Sequence, residues 1–192
     1  MKSRSLVLLA AFLPWFTACA TPATSGPGMI VTFRNAINGK ALFFDKAITA
    51  NGTGFSNPGS LSPGQSPSQG GATEGAVPDG RMLPDWVEFS WKEWPYPRPP
   101  MPRDQEGAKI YSEEVRTISR ALPRKTGRVI VRGRVPDAVV AEIVESNRHR
   151  EKGKTPEKML WVYFIWYENE IKFKWELKKD CCTVLRSGGD EV

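Results

Sequence analysis

The sequence predicts an α+β domain: an antiparallel, aromatic-rich β-sheet with one or two helices packed on it. Two runs alternate with the period of a strand. Val87, Phe89 and Trp91 alternate with Glu88, Ser90 and Lys92, and Ile171, Phe173, Trp175 and Leu177 alternate with Lys172, Lys174, Glu176 and Lys178. A third run, residues 160–167, is almost wholly apolar and aromatic, as suits a central strand covered on both faces. Between these runs, Val139, Val140, Ile143 and Val144 recur at helical spacing.

In chain order, the first segment has the parts of a secretory signal. Lys2 and Arg4 form a basic start, residues 6–16 are apolar apart from Pro14, and Thr17 and Ala18 are small. The apolar run is shorter than the roughly 20 residues a permanent membrane helix needs. Phe16-Thr17-Ala18-Cys19 resembles the lipobox of bacterial lipoproteins, departing from it at Phe16, where leucine is preferred. The resemblance implies that residues 1–18 are removed and that Cys19 carries the lipid. Acyl chains hold such a protein firmly, since each buried methylene contributes about 0.8 kcal/mol. Ala20 resembles the second residue of lipoproteins sent to the outer membrane, so the expected address is its periplasmic face. Residues 19–28 are small, polar and Pro-containing, which suits a lipidated tether.

The domain proper is expected over residues 29–186. Met29, Val31 and Phe33 mark a first strand, and Asn38-Gly39 is a tight-turn signal ahead of Leu42, Phe43 and Phe44, so 29–49 is expected to be a β-hairpin. Residues 51–80 are rich in Gly, Ser and Pro and too poor in large apolar groups to offset their ordering entropy, which predicts a long mobile loop. A strand follows over 86–92. The prolines of 95–102 favour a stiff polyproline connector. Tyr111, Val115, Ile118 and Leu122 then suggest a short amphipathic helix over 109–122. A basic turn at 124–127 precedes a strand at 128–135. Pro136 opens a helix to about residue 150, with Asp137 at its positive end and Arg148, His149 and Arg150 at its negative end. Residues 160–178 form a hairpin around Glu168-Asn169-Glu170, and 187–192 are expected to be a flexible tail.

Composition narrows the chemistry. The formal charge is +6, falling to +4 without Lys2 and Arg4, and the charges are mixed along the chain. Nucleic-acid binding would cluster Lys and Arg on one element, so it is not expected. Of the 3 cysteines, Cys181 and Cys182 remain after Cys19 is used. As a candidate redox pair they are either reduced thiols, a strained vicinal disulfide or a bond to another molecule. No second ligand cluster accompanies them, so neither a metal site nor a cofactor is expected. His149 is the only histidine, and it suits a helix C-terminus better than a catalytic site. No Gly-x-Ser-x-Gly elbow is present. The expectation is a binding protein rather than an enzyme. Exposed Trp, Tyr and Arg are typical interface anchors, so Trp86, Trp94, Tyr96 and Arg98 are the candidate partner-binding patch.

The lipobox-like start, Leu83-Pro84-Asp85-Trp86-Val87-Glu88-Phe89-Ser90-Trp91, Val135-Pro136-Asp137 and the final Lys174-Trp175-Glu176-Leu177 together resemble a family of uncharacterised bacterial lipoproteins. Such lipoproteins often accompany type VI secretion phospholipase effectors, several as their immunity proteins. The resemblance implies a protein partner of the secreted lipase type, held off at the membrane by binding alone. The alternative is an envelope assembly or maintenance lipoprotein that binds another envelope component.

Overall fold

The computed structural model describes residues 26–64, 72–74, 82–97, 100–148, 156–180 and 182–192. Their order is β1 (Ile30–Asn35), β2 (Lys40–Thr49), β3 (Ser60–Leu61), β4 (Ala72–Glu74), β5 (Trp86–Pro95), α1 (Gln105–Ala121), β6 (Arg124–Ile130), α2 (Asp137–Arg148), β7 (Lys158–Trp166), β8 (Ile171–Lys179) and β9 (Thr183–Gly189). The class is α+β, as expected, but the strands form two sheets rather than one. One runs β4-β1-β7-β8-β9 and the other β3-β2-β5-β6. All pairings are antiparallel except β1 with β7.

The sheets pack face to face through aromatic rings. Phe89 of β5 meets Phe164 and Trp166 of β7, each at a centroid distance of 5.0 Å, and Phe44 of β2 meets Trp166 at 4.8 Å. All three contacts are edge-on, the arrangement the ring quadrupole favours. Val31, Phe33, Leu160, Val162, Phe173 and Leu177 complete the core from the larger sheet. The strand β7 is buried on both faces, which explains its unbroken apolar run.

Several sequence expectations need correction. Residues 29–49 are not a hairpin, because β1 and β2 belong to different sheets. The Asn38-Gly39 turn is real, with Gly39 at φ +68, but it sits on a corner between the sheets. Buried Asn35 pins that corner: its Nδ2 donates to the Lys40 carbonyl at 2.7 Å and its Oδ1 accepts from the Ile37 amide at 3.0 Å. The region expected to be a long loop contributes β3 and β4, and Leu61 is core. Residues 65–71 and 75–80 of it lie outside the described residues. The strand predicted from 128 begins at Arg124, and Gly127 lies within it instead of in a turn. A Cβ there would approach Ile171 at 2.8 Å and Trp91 at 3.1 Å, so this glycine is set by inter-sheet packing.

The expected flexible tail from 187 is instead the end of a ninth strand. Gly188 lies flat against the Trp175 ring. Asp190 is then clamped, accepting from the Phe173 amide at 2.8 Å and pairing with Arg134.

The helix α2 closes the end of the sandwich where β1 begins. It buries Val139 and Ile143, and Asn147 Nδ2 donates to the Pro27 carbonyl at 2.9 Å. Its Glu142 pairs with Lys158 of β7 at 2.8 Å and with Arg186 of β9. At the opposite end, Lys40, Glu93, Lys125 and Glu168 form an ion network that ties the smaller sheet to the β7–β8 turn. Burial pushes the Glu93 carboxyl up, but hydrogen bonds from Lys125 and Lys40 outweigh it, and its pKa falls below the ordinary value.

Candidate functional site

The residues singled out from sequence do not form one patch. Trp86 and Trp94 share a face of β5 but stand eight residues apart, about 26 Å along a strand. Trp86 is half-buried beneath the Arg128 guanidinium, 4.0 Å from its ring, and Arg128 also donates to Glu88 at 2.8 Å. Trp94 is only 7% exposed and meets Phe43 edge-on at 6.1 Å, so it is a packing residue. Tyr96 is 50% exposed. Arg98, Cys19, Cys181 and His149 lie outside the described residues. Cys182 is disulfide-bonded.

One ionic cluster on the larger sheet invites a chemical reading. Tyr163 Oη donates to Glu176 at 2.6 Å, and Lys174 and Lys178 each pair with Glu176 at 3.0 Å. Burial pushes the Glu176 carboxyl up, but the Tyr163 hydroxyl and the two ammonium groups overcome it and hold its pKa at about 2. Burial and the neighbouring carboxylate push Tyr163 well above its ordinary value. A carboxylate locked in its charged form and a phenol locked in its neutral form are poor partners for proton transfer near neutral pH. The cluster is better suited to holding strands β7 and β8 in register. Among the described residues, no three His, Cys, Asp or Glu side chains gather as a metal would require.

The segment between β5 and β6 is different. Of the nine large apolar side chains that the described residues leave exposed, four lie in it: Tyr96, Met101, Ile110 and Ile118. Most of the segment is α1, which begins earlier than its apolar spacing suggested. Asp104 caps it, accepting from the Gly107 amide at 2.7 Å. Gly107 fits because a Cβ there would come within 2.8 Å of Pro102. The expected stripe is present, with Tyr111, Val115 and Leu122 half-buried. Yet none of the 17 residues of α1 is buried, and Ile110 and Ile118 are 56% and 47% exposed. A polar link to the sheets lies at its last turn, where Lys92 Nζ donates to the Ser119 carbonyl at 2.5 Å. The sequence signal for this site was the amphipathic spacing; Asp104, which sets the true start of the helix, was not read from it. That the domain covers the apolar side only in part, leaving Ile110 and Ile118 exposed, had no local signal.

Topology fixes where α1 stands. It leaves β5 at Pro95 and enters β6 at Arg124, which pairs with Lys92, at the end of the sandwich carrying the Asn35–Lys40 corner. The N-terminal chain enters at the other end, beside α2. The ten residues of β5 separate the two ends by about 30 Å. No helix of the described residues is long and apolar enough to cross a membrane. No family model, curated protein or solved structure matches the chain, so the family resemblance rests on the residues quoted for it.

Proposed function

We propose that the protein is a lipid-tethered periplasmic binder that neutralises a secreted toxin of the lipase class, as a type VI immunity protein does. The observation that carries this reading is α1, an amphipathic helix whose apolar side its own domain covers only in part, leaving Ile110 and Ile118 exposed. A helix of this length gains little stability alone in water, and helices in proteins are held mainly by burying such a stripe. Exposed Ile110 and Ile118, with exposed Tyr96 and Met101 in the segment that leads into the helix, have the composition of an interaction surface. Its position also fits. A lipid on Cys19 would hold the end beside α2 near the membrane and present α1 to the periplasm.

Contact-dependent competition tests the reading. A strain lacking the gene, grown against sibling cells that carry the secretion system and its lipase effector, is expected to be killed, and the full-length gene is expected to restore survival. Equal survival with and without the gene would overturn the toxin reading. A permeability defect in monoculture would favour the envelope-maintenance role instead. Cys19→Ala is expected to release the protein from the membrane fraction and to reduce protection. Full membrane retention of that variant would remove the lipid anchor from the proposal.

A further inference from the structure

We infer that α1 is a helix-in-groove ligand whose ridge Ile110–Glu114–Ile118 seats in a protein groove bearing two apolar pockets with a cationic side chain between them. The inference deepens the binding reading above and rests on it. The three residues are spaced i, i+4 and i+8, so they fall in one line along the helix. The two isoleucines are about 12 Å apart at 1.5 Å per residue. Both are exposed, and Glu114 stands exposed between them. The neighbouring Glu113 pairs with Arg116 at 3.0 Å, whereas no ion pair forms at Glu114 among the described residues.

Glu114 decides what the ridge accepts. In water an unpaired surface carboxylate costs little. Once the flanking isoleucines are buried against a partner, that carboxylate loses water and must meet a cation or weaken the complex. A lipid surface is a poor occupant. Its anionic headgroups would face a carboxylate between the two exposed isoleucines, whereas interfacial helices carry Lys and Arg beside their apolar face. The helix also leaves the domain at the end away from the N-terminal chain. A second copy is poor as well, because pairing two α1 ridges about their midpoint sets Glu114 against its own counterpart. A protein groove with a Lys or Arg between two apolar pockets satisfies all three side chains. This is the recurring mode in which an amphipathic helix lays anchors from successive turns of one face into a groove.

The experiment uses the same competition, with the deletion strain carrying full-length wild type, Ile110→Ser/Ile118→Ser, Glu114→Lys or, as an opposite-face control, Ser112→Ala. Membrane-fraction immunoblots and melting temperatures establish equal abundance and folding, which these exposed positions should preserve. The wild type and the control are expected to protect. The double variant and Glu114→Lys are each expected to lose at least about tenfold in survival, as loss of central anchors does. Protection by wild type and by both ridge variants alike would overturn the inference and leave the toxin reading standing. Failure of the wild type to protect would remove the toxin reading, and the inference with it.

Discussion

Glu176 lies on the face of the five-stranded sheet turned away from the core, opposite Trp161 in the β7–β8 register. Its pKa is lowered from an ordinary 4.5 to about 2 by Tyr163, Lys174 and Lys178 acting against burial. A carboxyl with a depressed folded-state pKa stabilises the fold above its unfolded value and loses that contribution as pH falls through the folded one. Its contribution is therefore complete above about pH 4.5 and vanishes towards pH 2. Glu176→Gln is expected to melt at a lower temperature than wild type at pH 7, and the gap should close as pH falls from 5 to 2. Calorimetric melting across that range checks the sign, and a gap independent of pH would refute the assignment. The same scale shows what the sequence hides. Gly188 and Gly189 look like a frayed tail, yet Gly189 holds φ +114, and a Cβ there would collide with the Phe173 carbonyl oxygen. Both glycines are required by close packing of β9 on β8, a reason that exists only once the strands are paired.

Elements were legible where their signal is local. The β7–β8 hairpin pairs from Lys158–Lys179 to Trp166–Ile171, and its alternation is written in the chain. The strand β5 was legible for the same reason, although Glu93, Trp94 and Pro95 extend it. A turn signal such as Asn38-Gly39 says that the chain reverses, but not whether it reverses into the same sheet. The helix α1 shows the limit most clearly, since periodicity reports an apolar face without saying what covers it. Because α1 fully buries no side chain, its stability is more local than that of the sandwich strands. Its amides are expected to exchange with solvent far faster than those of β7. Asp104→Ala, which removes a cap of about 1 kcal/mol, should speed exchange in α1 further without lowering the melting temperature of the whole protein. Hydrogen exchange read by mass spectrometry separates the two, and a global destabilisation would show that α1 is integral to the core.

At the scale of the molecule, the sandwich depends on rings contributed by both sheets. Phe89 is the hub, in contact with Phe33, Phe44, Phe55, Phe164 and Trp166. Phe89→Ala is expected to cost about 3–5 kcal/mol, the range for truncating a buried aromatic, as measured by urea denaturation. A loss under about 1 kcal/mol would mean that the sheets are held chiefly by something other than this cluster. The sequence made the aromatic content plain, and with it the α+β class. The division into two sheets was not legible, because it depends on which strands the corner at Asn35 keeps apart.

The parallel pairing of β1 with β7 sets an order of events. Ile30 lies opposite Trp161, and the two are separated by most of the chain. Such pairings form slowly, because loop closure must precede the contacts that reward it. For any chain delivered N-terminus first, from a ribosome or across a membrane, β1 has no main-chain partner on that side until β7 emerges. The larger sheet therefore cannot close early around a partial chain, and the first strand made is among the last to be locked in place.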